Sequence, residues 1–267
     1  MTTLLFNENN PKQLLQAAEL IKNGEVVGMP TETVYGLAAD ACNPDAVARI
    51  FKAKGRPSDN PLIVHLADFS DAVNYTSYIP QLAYKIADKF SPGPITMIFP
   101  KNDRIPYITS GGLDTVGIRI PAHATARKLI ELSGCPIAAP SANTSGYPSP
   151  TEASHVMLDM NGKIPAVIDG GKCQCGVEST VISFDDDNTV RILRPGFVTE
   201  EDLLTLGCEV IVDNAILNEV AEGEKVSSPG MKYTHYSPAA KVTLVEGDSE
   251  SFSAFAKFSH PQVSSSK

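Results

Sequence analysis

The stretch PTETVYGLAADACNPDAVARIFKAKGRPSDNPLIVHL, residues 30–66, decides the reading of this chain. The run before it, EVVGM at 25–29, has the continuous apolar character of a buried strand. Thr31, Glu32 and Thr33 then follow Pro30 in a turn whose side chains can all hydrogen-bond locally. A helix follows. Asn43 is its N-cap, Pro44 suits the first helical position, and Asp45 favours the positive N-terminal end. Val47, Ile50 and Phe51 recur at i, i+3 and i+4, so one stripe is apolar. Lys52, Lys54 and Arg56 gather at the C-terminal end, Gly55 sits where a left-handed terminating glycine belongs, and Pro57 stops the helix. LIVHL at 62–66 is a second strand, with His65 inside it.

Cations at a helix C-terminus are favoured by the macrodipole, and standing alone they only face water. A lone strand histidine is usually structural. Here three cations leave a helix beside a proline-punctuated loop, RPSDNP, and a histidine interrupts an otherwise apolar strand. Together these pieces predict an anion site beside a small polar pocket.

Outward from this stretch, helices and strands alternate. Residues 11–23 read as an amphipathic helix ended by Gly24, and 80–90 as another, with Leu82, Ile86 and Phe90 at spacing four. Strands are expected at 95–99, 115–120, 137–139, 166–169, 180–183 and 191–193. Helices are expected at 124–132, ended by Gly134, and at 151–160, capped by Thr151. Residues 69–78 fit neither pattern. The alternation predicts a layered α/β domain.

Past Phe197 the character changes. A short helix is expected at 200–206 after Thr199 and an extended piece at 210–212. Residues 215–228 are polar and charged and read as a linker. Residues 241–246 suit the first strand of another domain, but about 30 residues are too few for an independent core.

The chain has 267 residues, 42% hydrophobic and 20% charged, an ordinary globular composition. Its formal net charge of −9 is unsuited to strong direct nucleic-acid binding, which depends on neutralising phosphates. An anionic substrate must instead meet a local basic pocket. Cys42, Cys135, Cys173, Cys175 and Cys208 are an odd number of thiols, which suits a reducing, cytoplasmic setting. Cys173-Gln174-Cys175 lacks zinc spacing and a second pair. The sequence shows no signal peptide and no apolar run near 18 residues, so no membrane association is expected.

PTETVYGL followed by KAKGRPSDNPLIVHL resembles the YrdC-like domain of the threonylcarbamoyl-AMP synthase family. TVGIRIP at 115–121, APSANTSGYPSPT at 139–151, ESTV at 178–181 and LRPG at 193–196 extend the resemblance in the family's order. SPGMKYTHYSP at 228–238 is similar to the linker of the family's long form, whose C-terminal domain is roughly three to four times as long as the segment present here. The resemblance implies a twisted mixed β-sheet flanked by helices. It also implies three parts: a catalytic domain at 11–197, a linker or lid at 198–238, and a remnant or start of a C-terminal domain at 239–267.

The implied activity joins L-threonine, bicarbonate or CO2, and ATP into L-threonylcarbamoyladenylate with release of pyrophosphate, for threonylcarbamoyl-adenosine formation in tRNA. Downstream tRNA threonylcarbamoyl-transferase proteins are the implied partners, and Mg2+ the ion that accompanies ATP, with no dedicated protein metal site. By the same resemblance Thr33, His65, Arg119, Ala139 and Ser179 would hold L-threonine. Arg56, Asn60, Thr115, Ser141, Asn143, Ser149, Arg194 and Tyr236 would hold ATP, and Lys52, Lys54 and Arg56 would sit at the phosphates as the catalytic cations.

The residue types suit this chemistry. A guanidinium pairs bidentately with a carboxylate. The sequence has no GxxxxGK[ST] loop, no GxGxxG after the first strand, no HExxH and no GxSxG, so an ATP site must rely on side-chain cations and hydroxyls. The segment 228–238 concentrates Met231, Tyr233, His235 and Tyr236 after a polar stretch. It is therefore expected to dock over the ATP site as a lid, with Tyr236 on the nucleotide. Two rival readings are an RNA-binding module without catalysis, which the acidic balance disfavours, and a carbamoyl-transfer domain of the same fold, whose accompanying acylphosphatase and zinc-finger segments are not visible.

Overall fold

A computed structural model describes residues 2–55, 57–214 and 247–259. The chain divides into two compact units, Met1–Tyr236 and Ser237–Lys267. In the second, the described helix is Ser249–Ser259, with Phe252 and Phe255 exposed and the Asp248 carboxylate accepting from the Ser251 amide at 2.8 Å. No helix among the described residues is long and apolar enough to cross a membrane.

The first unit is built on an 11-stranded mixed sheet. Its strands are β1 (Leu4–Asn7), β2 (Val27–Met29), β3 (Gly36–Asp40), β4 (Ile63–His65), β5 (Ile95–Pro100), β6 (Thr115–Arg119), β7 (Ile137–Ala138), β8 (Ala166–Asp169), β9 (Thr180–Phe184), β10 (Thr189–Arg194) and β11 (Glu209–Val212). They lie in the order β1-β8-β2-β3-β7-β4-β6-β5-β9-β10-β11. The pairs β1/β8, β2/β8, β4/β6, β5/β9 and β10/β11 are parallel, and the other five are antiparallel.

The helices are α1 (Pro11–Lys22), α2 (Pro44–Lys54), α3 (Gln81–Phe90), α4 (Ala124–Ser133), α5 (Ala153–Met160) and α6 (Glu200–Leu204), with a 3-10 turn at Phe69–Asn74 where the sequence fits neither pattern. Local chemistry explains their ends. Asn43 accepts from the Asp45 and Ala46 amides at 3.0 and 3.2 Å, and Gly55 closes α2 in the left-handed region at φ 64°. Burying Val47, Ile50 and Phe51 contributes roughly 1.5–3 kcal/mol each.

Period-two alternation puts neighbouring strand residues into different cores. Leu37 and Ala39 join one cluster with Val64, Val116, Ile118 and apolar residues of α2, α3 and α5. Ala38 joins another with Val27, Met29, Ile137 and apolar residues of α1 and α4. Both faces of the sheet are thus covered. Because Val64, Leu66, Ile118 and Ile120 turn into the first cluster, His65 and Arg119 turn to the opposite face.

Three expectations need correction. Strands β1 and β3 are absent from the sequence reading. The sheet overruns the 11–197 boundary at both ends, since β1 precedes it and β11 pairs with β10 from within the stretch assigned to a linker. Thr151 is not the cap of α5. Its carbonyl accepts from the Cys173 amide at 2.9 Å, and Glu152 takes the cap position without a side-chain hydrogen bond. Residues 241–246 lie outside the described residues.

Candidate active site

Parallel pairing of β4 and β6 sets His65 against Arg119 in register. Both are buried, at 2% and 5% exposure. The connection between β2 and β3 carries Thr31, Glu32 and Thr33, all buried. The Thr31 hydroxyl donates to the Val34 carbonyl at 2.6 Å and lies 2.9 Å from the Thr33 hydroxyl, which fixes the turn. From this turn Glu32 reaches past β7 and β4 to Arg119, whose Nη2 donates to Glu32 Oε1 at 2.7 Å. Arg119 Nε also donates to the Gly93 carbonyl at 3.4 Å.

Burial, reinforced by the Arg119 charge, pushes the His65 imidazole down to about 3. His65 is therefore neutral at physiological pH, so it can exchange hydrogen bonds with a substrate but adds no charge.

The loop after β7 runs beside β3. Ala139 donates its amide to the Ile63 carbonyl at 3.1 Å, and Leu37 and Ala142 make backbone bonds to Pro140 and Tyr35 at 2.8 Å each. Lys54, 2% exposed, enters this loop from the end of α2. Its Nζ donates to the Ser141 carbonyl and, at 2.8 Å, to the Asn143 carbonyl. The Asn143 carboxamide donates to the Thr144 and Tyr147 carbonyls at 2.9 and 2.7 Å. Ser149 Oγ donates to Glu178 Oε1 at 2.5 Å.

Glu178 precedes Ser179, whose buried hydroxyl lies 2.8 Å from that of Thr96. Arg194 grips Ser179 at the carbonyl, from Nε at 3.1 Å and Nη2 at 2.8 Å, and at Oγ from Nη2 at 3.1 Å. Gly196 lets the chain pass: a Cβ there would lie 2.4 Å from the Thr180 nitrogen and 2.6 Å from the Glu178 oxygen.

Of the residues singled out from sequence, Thr33, His65, Arg119, Ala139 and Ser179 are all buried. Asn60 is fully buried with both carboxamide atoms unpartnered, beneath Gly111, where a Cβ would come 2.7 Å from the Pro61 nitrogen. Thr115 starts β6, opposite Pro100. Lys52 is exposed beside Phe51, Gly55, Pro57, Ser58 and Ile108, apart from the buried Lys54 contacts. Arg56 and Tyr236, and with Tyr236 the expected lid, lie outside the described residues.

Sequence reasoning passed over Glu32, Thr96 and Glu178 as site residues. Glu32 and Glu178 stand inside quoted motifs, and an acid next to a hydroxyl residue was the available signal. Thr96, in an apolar strand, gave little.

Fold and site together define a mixed-sheet α/β protein whose candidate site residues are side-chain cations and hydroxyls, without a phosphate-cradling glycine loop. Residues 19–196 match the Sua5/YciO/YrdC family model, described as telomere recombination, and 198–265 match that of the threonylcarbamoyl-AMP synthase C-terminal domain. The chain belongs to the Sua5/YciO/YrdC family.

A Bacillus subtilis threonylcarbamoyl-AMP synthase is 50% identical over 242 residues, 90% of this chain and 69% of the relative. The Pyrococcus abyssi protein of the same name is 50% identical over 86% of this chain and 67% of its own length. The crystal structure of P. abyssi Sua5 complexed with L-threonine matches with a TM-score of 0.90 at 44% identity, over 98% of this chain and 78% of that one. E. coli YciO, at 22% identity and a TM-score of 0.64 over 73% of this chain and 96% of that one, shares the fold.

Proposed function

We propose that this chain is an ATP-dependent enzyme that makes L-threonylcarbamoyladenylate from L-threonine, bicarbonate or CO2, and ATP, releasing pyrophosphate, for threonylcarbamoyl-adenosine modification of tRNA. The observation that carries the reading is Arg119, a cation 5% exposed and aligned with a neutral imidazole on the same sheet face. Relatives of the same activity at 50% identity support it.

In this reading Arg119 receives the threonine carboxylate, and Thr33, His65, Ala139 and Ser179 surround the rest of the amino acid. The amino acid enters as the zwitterion, and its amine must lose a proton before it adds to CO2. A carbamate oxygen then attacks the α-phosphorus and pyrophosphate leaves. Such a displacement needs alignment and charge neutralisation more than a protein nucleophile.

Ser141, Asn143, Ser149, Thr115, Asn60 and Arg194 form the ATP side, with Arg56 and Tyr236 assigned to it from their motifs. Asn60 supports the assignment, because two unpartnered amide atoms in a buried carboxamide suit a ligand that supplies both a donor and an acceptor. Lys54 acts on this side through the loop that it holds. Among the described residues no three His, Cys, Asp or Glu side chains converge on a metal position. A Mg2+ arriving with ATP would be held by the phosphates, where it neutralises charge. The transfer to tRNA is assigned to separate proteins.

The test is pyrophosphate release from ATP. The reading expects it to require threonine and bicarbonate together. Release that ignores either one would overturn it.

A further inference from the structure

We propose that Glu32 is a specificity-determining residue: its carboxylate holds the Arg119 guanidinium and balances its charge, so the amino-acid subsite takes a zwitterion in preference to a plain carboxylate. This rests on the reading of Arg119 as the receiver of the threonine carboxylate.

The pair is buried, with both side chains 5% exposed and 2.7 Å apart. Glu32 Oε2 is buried without a hydrogen-bond partner. A buried ion pair with one oxygen unsatisfied is a poor device for stability, since desolvation offsets much of the attraction. Its geometry is nevertheless enforced. The Cys175 amide donates to the Glu32 carbonyl at 2.8 Å and the Gly176 amide to that of Thr33 at 3.1 Å, so a second strap clamps the turn that presents the carboxylate. On the other side, Nη2 is taken by Glu32 and Nε by Gly93, while Nη1 makes no hydrogen bond among the described residues. That amino group is the donor left for a ligand.

The neighbouring titratable groups do not disturb the balance. His65 is neutral, for the reason given above. Burial pushes the Cys173 thiol up to about 11, and Cys175 is raised by burial and by Glu32, so both stay uncharged at neutral pH. Among the described residues, the charged group that bonds to Arg119 is Glu32. A carboxylate arriving alone would add a second negative charge beside a guanidinium whose charge is already matched, and like charges in a desolvated site repel strongly. A zwitterion brings its own cation with the carboxylate and meets an uncommitted oxygen on Glu32.

Glu32→Gln is the informative change. It keeps the shape and leaves an acceptor for Arg119, but removes the charge. The probes are L-threonine and 3-hydroxybutyrate, which has the same carbon skeleton, carboxylate and hydroxyl without the amine. Calorimetry on the full chain should show the wild type binding threonine about tenfold or more tightly than 3-hydroxybutyrate. In E32Q that ratio should narrow about tenfold, chiefly through tighter 3-hydroxybutyrate, with ATP affinity unchanged.

A merely structural role would weaken both ligands together and leave the ratio where it was, which would overturn the proposal. So would a wild type that binds the two probes equally, a comparison that decides the matter even if the variant does not fold. A wild type that binds no threonine would instead sink the synthase reading, and the inference with it.

Discussion

Lys54 Nζ donates to the Asn143 carbonyl at 2.8 Å, tying the last residue of α2 to a loop 89 residues away. A cation expected at the phosphates thus spends hydrogen bonds on the backbone of the loop that carries Ser141 and Asn143. Lys54 is 2% exposed, so water has little access to its ammonium and cannot readily replace the contact.

Lys54→Met should therefore destabilise the fold as well as weaken ATP binding. Each buried carbonyl left without its donor costs about 1–3 kcal/mol. Urea unfolding read beside ATP calorimetry checks this. A variant with wild-type stability and lost ATP binding would show that Lys54 serves ATP and not the loop.

Arg119→Ala should raise the threonine KM steeply and leave that for ATP nearly unchanged, a loss of about 2–5 kcal/mol in threonine binding. It also strands the Glu32 charge, so stability should fall by about 3–5 kcal/mol. Adding Glu32→Gln to that variant should restore stability but not threonine binding. Steady-state kinetics with thermal melts separates the effects, and an unchanged threonine KM would take Arg119 out of the subsite.

His65 should shape stability at acid pH. Its folded pKa of about 3 lies below the ordinary 6.5, so the unfolded chain binds the extra proton between those values. The contribution is present above pH 6.5 and is lost as the pH falls towards 3, at a slope of up to about 1.4 kcal/mol per pH unit. His65→Gln should flatten that part of the stability curve in urea titrations. A wild-type slope in the variant would show that His65 is not held neutral.

Gly196→Ala should injure a site that it does not touch through any side chain. The new methyl would meet the backbone on either side of Ser179 at 2.4–2.6 Å, so that backbone must move. A cost of about 1–3 kcal/mol is expected, with a raised threonine KM. A normal KM with a lowered Tm would separate Ser179 from threonine.

What the sequence made legible was local. The Asn43 cap, Pro44 and the Gly55 terminus are set by neighbours within a turn, and all three are found in α2. Strand β3 escaped because Gly-Leu-Ala-Ala-Asp lacks β-branched residues, and it is a strand through burial between β2 and β7. Thr151 lost its cap to a backbone bond with Cys173, and Lys54 found a partner 89 residues away. Glu32 bonds across 87 residues. Such pairings depend on strand order, which no local pattern encodes.

The central claim is tested most directly by carbon. The purified chain, incubated with ATP, Mg2+, L-threonine and 14C-bicarbonate, should place the label in one product that also contains threonine and adenylate, in step with pyrophosphate. Label that never enters an adenylate, or enters one without threonine, would contradict the account.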